Sequence, residues 1–214
     1  PDGSLAELPD FFPDSEGAIR VDDSFEEGSL SLIEETDATL VILSWRGPRF
    51  TAEYMFGNDI DAVGEAAPVP AVAARILRPW DRLIAVTGDT GVDWHREDAL
   101  LLLAAARRLR QSHPTPMVVL TGDRQFVEGK VGSEENVEFI IERDERRSMA
   151  ESFRPDDLVL VPAHVVHDLP PAKSWRVFRN LDDVNLAVVA GPRRLSVSKA
   201  ITRHLSESIG HAQP

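Results

Sequence analysis

The chain is predicted to be an α/β protein with a mostly parallel sheet, because three features of its sequence agree. Short apolar runs such as Leu40–Leu43, Met117–Leu120 and Leu158–Val161 are typical of strands buried on both faces. Amphipathic segments of helical length separate these runs, as crossover helices do in parallel sheets. Two distant stretches also repeat one order of elements, which indicates two copies of a unit.

Seven apolar runs predict strands, and the segments between them predict helices. The strands are Leu40–Leu43, Val69–Ala73, Leu83–Thr87, Met117–Leu120, Val137–Ile141, Leu158–Val161 and Leu186–Ala190, all expected to be buried. The helices are Phe25–Ile33, Asp59–Ala67, Asp98–Arg110, Arg146–Phe153 and Ser198–Ile209. Asp23 and Ser24 are N-cap candidates for the first helix, whereas Phe126–Glu135 is predicted to be an exposed turn region.

Composition and charge limit the classes of function. The 214 residues, 43% of them hydrophobic, suffice for one large α/β domain or two small ones. No run approaches the roughly 20 apolar residues of a membrane span, and no signal peptide is visible. The absence of cysteine excludes disulfides and thiolate catalysis. A formal net charge of -13 disfavours nucleic acid and anionic lipid as partners, but a partner with a basic face stays open.

The internal repeat pairs Thr36–Ser44 with Arg154–Pro162. Each stretch has an acidic entry, a four-residue apolar strand and a long following loop. Each is then followed by a final apolar strand, at Val69–Ile76 and Val184–Ala190. The repeat divides the chain into a first, incomplete unit over 1–77 and a second unit over 78–214.

Several segments resemble the universal stress protein family, namely Ser24–Ser29, Leu40–Trp45, Met55–Asp61 and Ala67–Ala73. The resemblance implies a parallel-sheet fold of the adenine nucleotide alpha hydrolase-like type, with two units in tandem. Nucleotide-binding members carry Gly-x2-Gly-x9-Gly-Ser/Thr, whose glycines let backbone N–H groups approach phosphates. Gly47 and Gly57 keep the nine-residue gap, but Ser44 and Asn58 replace two motif positions. No cofactor is therefore expected, and ATP is expected to bind in this loop only in the millimolar range or not at all.

The wider arrangement looks like the cytosolic C-terminal tail of prokaryotic monovalent cation (Na⁺ or K⁺)/proton antiporters. Phe56–Asp61 carries this resemblance together with Asp156–Val161 and the Pro- and Trp-bearing loop that follows it. It implies a non-enzymatic regulatory domain at the cytoplasmic face of the cell membrane, without membrane insertion of its own. Its partner would be the transmembrane transport domain of the same polypeptide. A free-standing nucleotide-binding stress protein and a cation–chloride cotransporter tail are the alternatives.

No residue pattern favours an enzyme or a metal site. The two sets of candidate metal ligands are His164, His167 and Asp168, and Asp93, His95 and Asp98. The first set lies in a proline-rich segment without a further ligand cluster, and Asp98 is interpreted as an acid at a helix start. No nucleophile-elbow serine and no phosphate-binding lysine loop occur. We therefore expect no catalytic residue and no metal.

A homodimer is expected, because antiporters of the resembled family are typically dimeric. The apolar strand at Val69–Ile76 is the predicted free edge through which two copies pair. A charge of -13 on each chain opposes association, and salt screens this repulsion. The dimer is therefore expected to strengthen as the ionic strength rises.

Overall fold

The computed structural model describes residues 22–44, 59–88, 91–131, 137–141, 153–163 and 184–192. Within these ranges the strands are β1 (Val41–Ser44), β2 (Ala71–Arg75), β3 (Arg82–Gly88), β4 (Met117–Thr121), β5 (Val137–Ile141), β6 (Asp157–Pro162) and β7 (Asn185–Ala190). The helices are α1 (Phe25–Glu35), α2 (Asp59–Ala66), α3 (Asp93–Ser112) and α4 (Arg124–Val131). None of these helices combines the length and the apolar character needed to cross a membrane.

The seven strands form one sheet in the order β1-β2-β7-β6-β3-β4-β5. The five strands from β7 to β5 are mutually parallel, and β1 is parallel to β2. The two blocks join through the antiparallel pair of β2 and β7. The predicted mostly parallel α/β fold is confirmed, and each of the seven predicted strands is found within a few residues of its expected bounds.

Both faces of the sheet are apolar, because each strand contributes hydrophobic side chains in alternation to the two sides. One face carries Val86, Val159 and Val188, with Val63 of α2 in the same core. The other face carries Leu83, Met117 and Leu160, and is covered by Leu102 of α3 and Val127 of α4. The central strands are therefore buried on both sides, as the continuous apolar runs predict.

The helix starts follow local hydrogen bonding. Ser24 is the N-cap of α1, where its Oγ accepts from the backbone N–H of Glu27 at 3.1 Å. A helix, α4, lies where an exposed turn was predicted. Its first turn is closed by the N–H of Phe126, which donates to Oδ1 of Asp123 at 3.0 Å. Val127 and Val131 are both buried, and their i,i+4 spacing forms an apolar stripe on α4. The polar residues around these two valines are the reason that the sequence predicted a turn instead of a helix.

Two expectations about the strands are wrong. β1 and β5 are the two edges of the sheet rather than buried strands, with Ile42 of β1 67% exposed and Glu138 of β5 exposed. β2 pairs with β1 on one side and with β7 on the other, so 69–76 is not a free edge. A dimer would have to use another surface. The helices predicted at 146–153 and 198–209 lie, apart from Phe153, outside the described residues.

Candidate functional site

The predicted nucleotide loop begins at the end of β1. Ser44 is the last residue of that strand, is exposed, and lies in register with Ala74 of β2. Gly47, Gly57 and Asn58 lie outside the described residues. The nucleotide loop therefore stays a prediction, because the structure describes one of its four residues.

The carboxyl ends of β3 and β6 form the candidate site that the topology indicates. From β3 the chain continues to β4 on one side, while β6 and β7 lie on the other, so the strand order reverses between β3 and β6. In open α/β sheets, ligands bind in the crevice outside the strand ends at this reversal. β3 ends at Gly88, whose φ of 67° lies in the left-handed region that favours glycine.

Two threonines near this edge form hydrogen bonds within the fold. The buried Thr87 donates from Oγ1 to the carbonyl of Leu120 at 3.5 Å. Thr121, at the end of β4, accepts at Oγ1 from the N–H of Asp123 at 3.0 Å. These bonds terminate strands and start α4. They shape the edge, and they do not assemble a nucleophile with a base.

Asp98 connects α3 to the same edge. It is fully buried, and its Oδ1 accepts from the N–H of Gly191, just beyond β7, at 2.9 Å. The interpretation of Asp98 as a helix-start acid is wrong, because α3 begins at Asp93 and Asp98 lies in its second turn. His95 is also buried, and its ring packs edge-on against that of Trp94, with 4.0 Å between the ring centroids.

One set of three potential metal ligands converges among the residues that the structure describes, and it is not either predicted set. Asp81, Asp156 and Asp157 place carboxylate oxygens within 4.8 Å of one another, at the amino ends of β3 and β6. Asp93, His95 and Asp98 do not form such a group within the described ranges. The other predicted set, at His164, His167 and Asp168, lies outside them.

An arginine already pairs with one of these three carboxylates. Nε and Nη2 of Arg82 donate to Oδ1 and Oδ2 of Asp157, both at 2.7 Å. Oδ2 of Asp157 also accepts from the N–H of Arg154 at 2.6 Å. The hydrogen bonds that Arg82 donates to Asp157 raise the pKa of Arg82 above its ordinary value, so the cation persists at every working pH. Both carboxylate oxygens of Asp157 are already hydrogen-bonded, which disfavours Asp157 as a metal ligand.

Asn185 extends this network to the connection between β2 and β3. Its Oδ1 accepts from the N–H groups of Leu77 and Arg78, at 2.7 and 3.1 Å. Its Nδ2 donates to the carbonyl of Asp157 at 3.2 Å. The sequence analysis missed this role of the fully buried Asn185. A single amide inside the apolar run 184–190 was the available signal, because a buried polar side chain requires partners.

Comparison with solved structures shows which proteins have a similar fold. A candidate universal stress protein from Pseudomonas aeruginosa superimposes with a TM-score of 0.54 at 14% identity, over 96% of this chain and 81% of its own. A functionally unknown protein from the same species gives 0.54 at 12% identity, over 95% and 81%. The fold is universal-stress-protein-like. A universal stress protein from Archaeoglobus fulgidus reaches 0.44 at 12% identity, over 76% and 64%.

Sequence comparison gives no closer relationship. No protein-family model matches the chain, and no curated protein is significantly similar to it. At identities of 12 to 14%, the structural neighbours establish the universal-stress-protein-like fold and leave activity open.

Proposed function

We propose that this chain is a non-enzymatic regulatory domain of a membrane cation/proton antiporter, composed of two universal-stress-protein-like units over 1–77 and 78–214. It would sense or relay a cytosolic signal to the transport domain of the same polypeptide. The observation that carries the two-unit part is the antiparallel junction of β2 and β7, because its register agrees with the internal repeat.

The agreement can be followed through three ladders. The repeat aligns Val41 of β1 with Val159 of β6, and these two residues pair with Ala71 of β2 and Leu186 of β7. Continuing that alignment makes Ala73 equivalent to Val188, and these two residues are cross-strand partners. A local two-fold axis midway between these two residues relates β1-β2 to β6-β7, and Ala73 is the middle residue of β2.

The faces of the sheet on which equivalent side chains lie agree with the same symmetry. Val41 and Val159 contribute to one core, on one face of the sheet, together with Ala73 and Val188. A two-fold axis perpendicular to the sheet keeps equivalent residues on the same face, as observed. Within the described residues, the first unit contributes the counterparts of β6 and β7, which supports its interpretation as incomplete.

The junction suggests how such a domain transmits a signal. A ligand or partner that binds one relative arrangement of the two units more tightly shifts the population toward that arrangement. Two contacts could change between the two arrangements. They are the β2–β7 ladder and the hydrogen bonds of the Asn185 amide to Leu77 and Arg78, in the connection between β2 and β3. The transport domain would respond only if it also distinguishes the two arrangements.

The antiporter assignment is tested on the gene and then by transport. The reading frame upstream of Pro1 should encode several apolar segments of about 20 residues each. Cation-dependent proton movement in membrane vesicles should then change its pH or cation dependence when residues 1–214 are deleted. An upstream region without membrane spans would refute the assignment, and unchanged transport would refute the regulatory role.

A free-standing nucleotide-binding stress protein is the second candidate, favoured by the strand-order reversal at β3 and β6 and by Gly88 at its edge. Isothermal titration with ATP decides between the two. We expect millimolar binding or none, because Ser44 and Asn58 replace two motif positions. A Kd near or below about 1 μM, equivalent to roughly -8 kcal/mol, would favour the stress protein. Gly47→Val is the matched variant, which should abolish binding if the loop holds the phosphates.

A further inference from the structure

β1 is an end strand of the sheet that the described residues form. Within the described ranges β1 pairs with β2 alone. The N–H of Val41 donates toward β2, to the carbonyl of Pro70, at 3.0 Å. Successive residues of a parallel strand direct their backbone groups to opposite sides, so the N–H and carbonyl of Ile42 face outward, where an added strand would bind.

This edge lacks the usual protection against strand addition. Natural edge strands carry charges, prolines or bulges that discourage pairing. The segment 40–44 has no charge and no proline, whereas β5, at the other end of the sheet, carries the exposed Glu138. The side chains of Leu40 and Ile42 share one face and are 45% and 67% exposed. The edge therefore offers both hydrogen bonds and apolar surface.

The segment that leads into β1 is acidic. Residues 22–44 include no Lys or Arg, and their acids are Asp22, Asp23, Glu26, Glu27, Glu34, Glu35 and Asp37. Glu34 and Asp37 are exposed at the approach to the amino end of β1. No basic residue lies in the last turn of α1, where the helix dipole disfavours acids. A cationic group from outside would be stabilised here.

β6, which the repeat makes the counterpart of β1, has the corresponding edge filled. β3 runs parallel to it, and the first residue of β3, Arg82, pairs with Asp157 at the amino end of β6. Leu160, the counterpart of Ile42 in the repeat, is only 2% exposed. An edge of this kind accepts an apolar strand that begins with a basic residue.

We propose that the outer edge of β1 binds an extended, basic segment of a partner polypeptide as an eighth strand, parallel to β1. Apolar side chains of the segment pack on Leu40 and Ile42, and its Lys or Arg residues contact Glu34 and Asp37. The backbone hydrogen bonds supply the β-augmentation mode of recognition. A second copy of this chain fits less well, because two surfaces of net charge -13 repel each other. The inference rests on the repeat that also supports the two-unit part of the proposed function, but not on the antiporter assignment.

The test uses the full chain and a synthetic ten-residue peptide in which arginine alternates with valine. Fluorescence anisotropy measures its Kd, and hydrogen exchange followed by NMR reports the amides of β1. We expect saturable one-to-one binding that weakens as salt is raised, because opposite charges are screened. The amide of Ile42 should exchange more slowly when the peptide is bound. A peptide of equal charge with every valine replaced by proline should not bind.

Two kinds of variant separate strand addition from simple charge attraction. Ile42→Pro removes the outward N–H but keeps the donors that face β2, and should weaken binding about tenfold or more. Ile42→Val keeps the N–H and should bind as the unaltered chain does. If Ile42→Pro does not fold, the proline peptide and the exchange of the Ile42 amide make this distinction, and the pair Glu34→Gln and Asp37→Asn, which should weaken binding and flatten its salt dependence, tests the charge contacts.

Three outcomes would overturn the proposal. The first is equal affinity for the proline peptide, which means charge attraction alone. The second is no saturable binding at millimolar peptide, or no protection of the Ile42 amide on binding. The third is self-association of the chain that strengthens with salt and is lost in Ile42→Pro, which assigns the edge to a second copy.

Discussion

The pair of Arg82 and Asp157 gives the sharpest test of the structure, because its two halves are unequally buried. The side chain of Asp157 is 0% exposed, and that of Arg82 is 20% exposed. Arg82→Met therefore leaves a fully buried carboxylate with the N–H of Arg154 as a remaining donor. Asp157→Asn leaves a guanidinium that reaches water. Removing the arginine should cost more than neutralising the aspartate.

The magnitudes follow from this asymmetry. Breaking a buried pair so that a charge is left behind typically costs about 3 to 5 kcal/mol, and we expect about 4 kcal/mol for Arg82→Met. Asp157→Asn loses two charge-assisted bonds and places the amide NH₂ donor against N–H donors of Arg82 or Arg154, but the Arg82 side chain reaches water, so about 2 kcal/mol is expected. The double variant should cost less than the sum of the two, because neither change then leaves a charge unpaired.

Urea unfolding followed by far-UV circular dichroism measures these differences, with the slope of each transition checked for constancy. Arg124→Met is the matched control, because Arg124 pairs with Glu128 on an exposed helix surface. It should cost less than about 0.5 kcal/mol. The reasoning is refuted if Arg82→Met costs no more than Asp157→Asn, or no more than the control.

Three further predictions concern other parts of the fold. Asn185→Ala should destabilise the chain by about 2 kcal/mol. It should also accelerate hydrogen exchange at the N–H groups of Leu77 and Arg78, which donate to Oδ1 of Asn185. Unchanged exchange would contradict this role of Asn185. Asp98→Ala should cost about 2 to 3 kcal/mol, because the N–H of Gly191 loses a buried carboxylate, and an unfolding midpoint equal to that of the original chain would contradict this. Sedimentation should detect a homodimer that is stronger at roughly 0.5 M salt than at low salt, since the Debye length falls from about 30 Å at 0.01 M to about 3 Å at 1 M. A monomer at high protein concentration in both buffers would remove that expectation.

The strands and their mostly parallel pairing could be predicted from the sequence, because burial on both faces leaves a local signature. An apolar run such as Leu158–Val161 has no polar alternation, and the fully buried β6 is found there. α4 was not predicted, because its local signature is weak. Its apolar stripe is only two valines long, and charged residues surround it.

Tertiary structure decided which polar residues matter, because their partners are distant in sequence. Asp157 and Arg82 are 75 residues apart, and Asn185 and Leu77 are 108 residues apart. Nothing local to either residue encodes such a contact. A buried carboxylate or amide is tolerated only where the fold brings a matching donor or acceptor to it.

The position of each strand in the sheet also depended on the tertiary structure. The apolar character of 40–44 and 69–76 is similar, and from sequence the second was expected to be the free edge. The structure places β2 inside the sheet and β1 at its edge. Hydrophobicity predicts that a strand forms, whereas its neighbours depend on chain connections and on the antiparallel junction with β7.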